Sequence, residues 1–400
     1  MGEPRGTEKR KGPLTMKKRM ILLGVLIVAV LTLCAVAALG ESSEPERFLV
    51  ISDTHLTEET QEHAAMLEAV VQAARGMDAV LLLGDNTNNT HPEEHVLVLD
   101  MAEEIRRQSG AEVYILPGNH DYSALRMGPK EFRAQYGAYG WNQAFSRDQE
   151  TASCAVMTRG GTCLLLLDTN MQDGALGFKA DGGIGGSTLV WLQETLEALP
   201  DGTPVLACGH HPILPPERNE RTPGANALSQ VLRAYGAGLY LCGHDHGFAT
   251  AEEKGLRQIT VGRPQAYPGW VGIVEKEETG FRWHTEGIYD AQSPFYIALR
   301  EGAYALADTM ARGTLSTTPY ADDEAAIAWF VSAYMLIAGG EMTPEKNAAL
   351  LADANCQKWR EAETRTLAKD WMLNLLENCP EDVRRIDIPA AGKHPLKLEK

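Results

Sequence analysis

The sequence predicts an α/β domain followed by an all-helical C-terminal domain. Between residues 47 and 290, short continuous apolar runs alternate with amphipathic stretches, which is typical of a β-sheet covered by helices. After residue 291 the strand pattern stops and longer stretches with helical periodicity take over. We therefore place the α/β domain at residues 47–290 and the helical domain at residues 291–400.

Six apolar runs of strand length predict the inner strands of the sheet. Continuous runs of this kind are expected where a strand is buried on both faces. The runs lie at residues 48–51, 79–83, 113–116, 163–167, 205–208 and 239–242.

The helices are predicted from apolar residues that recur at helical spacing. Residues 58–75 place aliphatic side chains on one face, and leucines recur in the same way over residues 189–199. In the C-terminal part, the apolar run at residues 325–338 predicts one helix, and helical periodicity continues over residues 359–376. A further helix is predicted between these two stretches. It begins with Thr343 as the N-cap and the following proline at the first helical position.

The N-terminus is predicted to lie outside the folded domain. Residues 1–19 are polar and basic, and the apolar run at residues 20–39 is long enough to span a bilayer. Basic residues precede this run and glutamates follow it, which places residues 1–19 in the cytoplasm and the rest of the chain outside. The run is either a signal anchor or a signal peptide cleaved near Ala37. The expected location is extracytoplasmic, either secreted or held at the membrane by this segment.

Charge and cysteine usage exclude several functional classes. The formal net charge of −17 disfavours a nucleic-acid backbone as a main partner. None of the seven cysteines forms a CxxC pair, so the sequence does not support a zinc ribbon or a thioredoxin-like site.

Polar residues follow five of the predicted strands at the point where each strand ends. Because ligands bind at the carboxyl ends of strands in open α/β sheets, we expect these side chains to meet at one edge. Each motif alone is a weak signal, but the ordered set of five is a strong one. The segments are Ser52-Asp53-Thr54-His55, Gly84-Asp85-Asn86, Gly118-Asn119-His120-Asp121, Gly209-His210-His211 and Gly243-His244-Asp245-His246.

The residue types in these segments are those that bind divalent metals. Carboxylate, imidazole and amide oxygen ligands suit such ions, and the absence of cysteine from the segments excludes a structural Cys-zinc site. Two metals about 3.5–4 Å apart share a carboxylate, activate a bridging water and stabilise phosphate oxygens. The residue types therefore predict a site for divalent metals, and two such ions would suit a phosphate ester.

This ordered series resembles the calcineurin-like metallophosphoesterases, and the resemblance extends over residues 47–290. Within that family it is most similar to the bacterial cyclic-nucleotide phosphodiesterase and purple-acid-phosphatase-like branches. The resemblance implies a four-layer α-β-β-α sandwich and hydrolysis of small phosphate monoesters or diesters by a hydroxide bridging two manganese, iron or zinc ions. Purple acid phosphatases supply a tyrosine just after the first Asp motif, but Leu56 and Thr57 follow His55 here, so a tyrosine–iron(III) site is not expected.

The same resemblance implies a role for each residue at the strand ends. Seven side chains hold the two ions: Asp53, His55 and His246 for one, Asn119, His210 and His244 for the other, and Asp85 shared by both. His120 is implied to be no ligand; it faces the substrate as a general acid or as a donor to a phosphate oxygen. We expect His211 to orient a neighbour.

Some alternatives remain open from the sequence. The protein is also compatible with a metal-dependent hydrolase of a non-phosphate bond, or with a metal-binding module of little activity. Four basic residues are candidates for phosphate contact, although each is also open to the plainer interpretation of a solvated charge. They are Arg126, Arg133, Lys179 and Arg263.

Overall fold

Two β-sheets lie face to face at the centre of the α/β domain in the computed structural model. The model describes residues 45–58, 60–173, 177–214, 222–364, 366–377 and 382–393. The strands are β1 (Arg47–Ile51), β2 (Ala79–Leu83), β3 (Glu112–Leu116), β4 (Ser146–Arg147), β5 (Cys154–Met157), β6 (Cys163–Leu166), β7 (Gln172–Asp173), β8 (Gly177–Phe178), β9 (Val205–Cys208), β10 (Leu239–Cys242), β11 (Ala249–Glu253), β12 (Leu256–Thr260), β13 (Trp270–Glu277), β14 (Gly280–Gly287) and β15 (Arg385–Ile388).

Helices cover the sheets and make up most of the C-terminal region. Two short 3-10 turns accompany them, at Asn119–Asp121 and Gly137–Tyr139. The α-helices are α1 (Gln61–Ala73), α2 (Pro92–Ser109), α3 (Pro129–Tyr136), α4 (Gly186–Glu197), α5 (Ala225–Ala234), α6 (Pro294–Leu315), α7 (Glu324–Ala338), α8 (Pro344–Ala352), α9 (Ala354–Glu361) and α10 (Ala368–Glu377).

The strand order explains why the predicted strands share an edge. The first sheet has the order β15-β14-β13-β1-β2-β3, and the second has the order β11-β12-β10-β9-β6-β5-β4. Strands β1, β2 and β3 are parallel to one another, and so are β6, β9, β10 and β12. All six predicted strands lie in these parallel parts, so within each sheet their carboxyl ends point the same way.

The side chains of the strands alternate between two apolar clusters, which confirms the four layers. Phe48 and Val50 of β1 face the second sheet, whereas Leu49 and Ile51 pack against α1 and α2. This alternation follows from the two-residue period of a strand. On the far side, α4 and α5 cover the second sheet with a third cluster that includes Leu192. The sandwich is therefore α-β-β-α.

The C-terminal region is helical, as predicted, with one exception. Its helices pack around Phe330 and Trp359, whose rings stack with centroids 4.7 Å apart. The predicted N-cap is confirmed, because the Thr343 side chain accepts a hydrogen bond from the amide of Lys346. The helical stretch expected over residues 359–376 is divided between α9 and α10.

The exception is strand β15, which pairs antiparallel with β14 and extends the first sheet. The expectation that residues 291–400 are all-helical is corrected in this respect. The pattern of β15 mixes charged and apolar residues, as does that of β14, because both lie near the edge of the sheet.

The predicted N-terminal segments, residues 1–19 and 20–39, lie outside the described residues. Within the part of the chain that the structure describes, no helix is both long and apolar enough to cross a membrane. The membrane segment therefore stays a prediction from the sequence.

Candidate metal centre

The carboxyl-end segments of the two sheets meet at one place on the sandwich. The amide of Asp53 donates to the carbonyl of Gly84 (3.0 Å), and the amide of His55 donates to the carbonyl of Asp85 (2.9 Å). The sheets are joined by His210, whose Nδ1 lies 2.8 Å from the Leu83 carbonyl oxygen. These bonds hold the loops after β1, β2 and β9 together.

Four of the predicted ligands form one cluster. One ligand atom from each of Asp53, His55, Asp85 and His246 lies within 4.8 Å of all the others. The Nε2 atoms of His55 and His246 are 3.0 Å apart, and His246 Nε2 is 3.5 Å from Asp53 Oδ1. The structure therefore brings these side chains together around a common point.

Two of the other predicted ligands, His210 and His244, form a second cluster together with His211. His244 Nδ1 is 3.1 Å from Asn119 Oδ1, and His210 Nε2 is 3.2 Å from Asp85 Oδ2. His55 Nε2 of the first cluster is 3.7 Å from the same Asp85 oxygen. Asp85 thus touches both groups, which is the position that a shared ligand requires.

The hydrogen bonds of His210 fix which ring nitrogen faces the site. A carbonyl oxygen only accepts, so His210 Nδ1 carries the proton that it shares with Leu83. Its Nε2 is buried without a hydrogen-bond partner and points towards Asp85. An imidazole whose second N–H is held by a backbone carbonyl is a common arrangement for a metal ligand.

His211 differs from its neighbour because both of its ring nitrogens are used. Nε2 donates to the Ala180 carbonyl (3.1 Å), and Nδ1 accepts from the Thr169 hydroxyl (2.7 Å). The oxygen of that hydroxyl also receives the amides of His210 and His211. Together these bonds hold the His210 loop in place, in keeping with an orienting role.

Burial and neighbouring charges shift the pKa values of the two carboxylates, Asp53 and Asp85, in opposite directions. Burial raises the pKa of Asp53 to about 7. Burial also acts to raise the pKa of Asp85, but the adjacent His210 and the contacts with His120 together hold that pKa below its usual range. Burial by itself would lower the pKa of His210, yet Asp85 raises it to about 9. The centre therefore attracts positive charge strongly.

Three of the ligand imidazoles, those of His55, His244 and His246, are neutral at physiological pH. Burial lowers the pKa of His55 to about 3 and is also the largest cause that lowers those of His244 and His246 to about 4. A neutral imidazole is the form that binds a metal.

The residues present fit divalent metal ions. The set consists of two carboxylates, four imidazoles and one amide oxygen, a combination suited to manganese, iron and zinc alike. A cation would also stabilise the buried charge of Asp53 and satisfy the unpaired Nε2 of His210.

His120 lies beside the centre without belonging to either cluster. Its amide donates to Asp85 Oδ1 (2.8 Å), and its ring meets that of His55 edge-on with centroids 4.8 Å apart. Its Nδ1 is 2.7 Å from the Asn88 carbonyl oxygen, so Nδ1 carries a proton and Nε2 is the available nitrogen. The side chain is exposed to solvent.

Two supporting residues were not predicted from the sequence. Asp121 is fully buried and accepts hydrogen bonds from the amides of Asn86, Thr87 and Gly118, so it ties the β2 and β3 loops together. Gln265 donates to the Thr54 carbonyl from the loop after β12. Asp121 stands inside a motif where only its neighbours were assigned roles, whereas Gln265 has no local signal at all.

Fold and site together define the class of this protein: it is a metallophosphoesterase, a hydrolase of phosphate esters. More specifically, the chain belongs to the calcineurin-like phosphoesterase family, whose model matches residues 46–248.

Individual relatives agree with that family. The chain is 28% identical over 233 residues to a cAMP/cGMP dual specificity phosphodiesterase of Mycobacterium tuberculosis, covering 54% of this chain and 67% of that protein. It is 27% identical over 267 residues to tartrate-resistant acid phosphatase type 5 of Rattus norvegicus, covering 61% and 79%. Among solved structures, a dimetal phosphatase from Danio rerio matches with a TM-score of 0.46 and 16% identity, covering 62% of this chain and 98% of that one.

Proposed function

We propose that this protein is a dinuclear metal-dependent phosphoesterase that hydrolyses small phosphate monoesters or diesters. The observation that carries the proposal is the cluster of Asp53, His55, Asp85 and His246, in which Asp85 Oδ2 also lies 3.2 Å from His210 Nε2. In this proposal Asp53, His55 and His246 hold one ion, and Asn119, His210 and His244 hold the other. Asp85 is shared between them.

The residues of the centre prepare it for two cations. When bound there, two divalent ions supply Lewis-acid stabilisation of phosphate charge and lower the pKa of a water molecule. Asp85 and Asp53 provide the negative charge that retains the ions, and the neutral imidazoles provide lone pairs without adding positive charge. Ligands held on adjacent strand ends are rigid, which keeps the distance between the two positions constant.

His120 is proposed to donate a proton to the departing oxygen of the ester. With Nδ1 engaged by the Asn88 carbonyl, a protonated His120 offers Nε2–H to the substrate. The hydrogen bond from the backbone amide of His120 to Asp85 fixes the position of His120 relative to both clusters. Proton transfer of this kind typically contributes about 10²–10⁴-fold to the rate.

The relatives support a phosphate ester as the substrate class. They are described as a cyclic-nucleotide phosphodiesterase, an acid phosphatase and, in Arcobacter nitrofigilis, a probable glycerophosphodiester phosphodiesterase. These names include both monoesters and diesters, so both types belong in a substrate panel.

We also propose that the domain works outside the cytoplasm, with residues 20–39 as a signal anchor or signal peptide. Support comes from the basic flank and the apolar run alone. Fractionation of cells that express the full chain tests this proposal. Recovery of the protein in the cytoplasmic fraction would contradict it.

Metal analysis followed by a substrate panel tests the proposed function. We expect two equivalents of metal, hydrolysis of p-nitrophenyl phosphate or bis(p-nitrophenyl) phosphate, and loss of activity on chelation. Asp85→Asn should lower the metal content at both positions, because both clusters depend on that carboxylate. Two full equivalents in the Asp85→Asn protein would refute the sharing of Asp85.

The same panel separates the proposed function from its alternatives. Turnover of a carboxylic ester or amide without turnover of any phosphate ester would indicate a different hydrolase. Two bound metals with no turnover of any substrate would indicate a metal-binding module.

A further inference from the structure

An arginine lies next to the metal centre without a role in holding it. Arg263 follows β12, and its amide lies 3.4 Å from the carbonyl oxygen of His246. Strand β12 is parallel to β10, which carries His244 and His246 at its carboxyl end. The loop that bears Arg263 is therefore at the same edge of the sheet as the predicted ligands.

This loop is fixed to the centre on both sides of Pro264, which is buried. The Arg263 carbonyl accepts a hydrogen bond from the amide of Ala266 (3.1 Å), which closes a turn. Within that turn, Gln265 Nε2 donates to the carbonyl of Thr54 (2.6 Å), the residue between Asp53 and His55. The side chain of Arg263 thus starts from a backbone position that is tied to the loops after both β1 and β10.

The guanidinium of Arg263 is half-buried and incompletely bonded. Its Nε is buried and makes no hydrogen bond to any residue that the structure describes. Its charge reaches the centre, because after burial it is the next cause that lowers the pKa of His246, and it acts in the same direction on His55. A positive group in this position is available to a negative ligand at the metal centre.

Two of the other basic candidates, Arg133 and Arg126, already have partners. Arg133 is a structural arginine whose Nη1 donates to the carbonyls of Gln149 and Thr151, with its guanidinium over the ring of Trp141. Arg126 contacts His91 Nδ1 at 3.1 Å on the exposed surface. Unlike Nη1 of Arg133, the Nε of Arg263 donates to no backbone carbonyl among the residues that the structure describes.

We propose that Arg263 binds a non-bridging oxygen of the substrate phosphate group. The inference rests on the proposed function, since it assigns one contact of the phosphate at that same site. The planar guanidinium matches the geometry of phosphate oxygens, and its fixed charge stabilises negative charge that builds up on them. Arg263 is thus a substrate-binding residue and not a metal ligand.

Orthophosphate binding to the full-length, manganese-loaded protein tests this role directly. Arg263→Gln should keep the manganese stoichiometry of the wild type and weaken orthophosphate binding at least about 10-fold in a calorimetric titration. Arg263→Lys should recover part of the affinity, because it restores the charge but not the planar fork. The matched control is Arg159→Gln, whose side chain is 92% exposed and pairs with Glu112 at the opposite end of β3, and which should bind like the wild type.

The possible outcomes separate this inference from the proposed function. Unchanged orthophosphate affinity in Arg263→Gln, loss of manganese from that variant, or no orthophosphate binding by the wild type would each overturn the role of Arg263. If the affinity difference is found but the wild type hydrolyses no phosphate ester, the proposed hydrolysis fails while the phosphate contact stands.

Discussion

At the scale of single residues, the metal centre concentrates unusual backbone conformations. Seven non-glycine residues among those described have a positive φ, and five of them are predicted ligands. They are Asp53 (56°), His55 (41°), Asp85 (48°), His244 (76°) and His246 (59°). A side chain in this region costs about 1–3 kcal/mol and persists only where the surroundings enforce it. Backbone hydrogen bonds, such as that from the Asp53 amide to the Gly84 carbonyl, hold these residues in this conformation.

The first residue-scale prediction concerns His120. His120→Ala should retain both metals and lose about 10²–10⁴-fold in kcat for alkyl phosphates, because their leaving oxygens require a proton. The loss should be smaller for p-nitrophenyl phosphate, whose leaving group departs as an anion. Steady-state kinetics on both substrates, with elemental analysis of the same preparations, measures this.

The matched control for His120 is His244, which lies in a ligand cluster. His244→Ala should lose about one metal equivalent and fail on good and poor leaving groups alike. Equal rate losses for both substrates in His120→Ala would show that this residue is not the general acid. Loss of metal from that variant would make it a ligand.

At the scale of the structural elements, the loop after β3 lies very close to the loop after β2. The approach at Gly118 leaves no room for a side chain at that position. A Cβ on Gly118 would lie 2.2 Å from Asp85 Oδ1 and 2.3 Å from the Asp85 amide nitrogen. Because the second of these atoms belongs to the backbone, the clash is not relieved by a rotamer change. The close approach of the two loops is what lets Asp85 receive the amide of His120.

We therefore expect Gly118→Ala to displace the Asp85 carboxylate and reduce metal binding at both positions. Gly302→Ala is the control, since its Cβ meets nothing within 4 Å and the residue lies on α6. That change should raise the free energy of unfolding by about 0.5–1 kcal/mol and leave the metal content alone. Metal analysis and urea unfolding of both variants check the expectation; full occupancy in Gly118→Ala would contradict it.

At the scale of the whole molecule, the C-terminal region is tied back to the α/β sandwich. Strand β15 completes the first sheet, and Ile388 is buried in the cluster between the sheets. Nearby, the Trp283 indole donates to the carbonyl of Val383, which lies 100 residues further along the chain (2.8 Å). These contacts indicate that the sandwich depends on the C-terminal strand for its stability.

Ile388→Ala should accordingly lower the free energy of unfolding by about 2–4 kcal/mol, through lost burial and the cavity left behind. The neighbouring Asp387→Asn changes a side chain that is 75% exposed and pairs with Arg282, so its effect should stay within about 1 kcal/mol. Denaturant unfolding of the two proteins gives both numbers. Equal changes in the free energy of unfolding for the two variants would show that β15 does not contribute to the stability of the sandwich.

Much of the fold and of the candidate centre was accessible from local patterns. The six inner strands were predicted because buried parallel strands are continuous apolar runs, and each metal-binding motif stands directly after such a run. Edge strands such as β11 were missed because they mix charged and apolar residues, as Glu252 and Glu253 illustrate.

The sequence by itself determined the fold class, the helical C-terminal region, the family and which side chains gather at the sheet edge. All of these depend on residues that are neighbours in the chain or on strands of the same pattern. Only the tertiary structure decided that His211 uses both ring nitrogens, that Arg263 lies beside the centre and that β15 returns to the first sheet. Such contacts join residues that are far apart in the chain. The free energy that selects them comes from packing and hydrogen bonding in three dimensions, and these interactions produce no periodic pattern in the sequence.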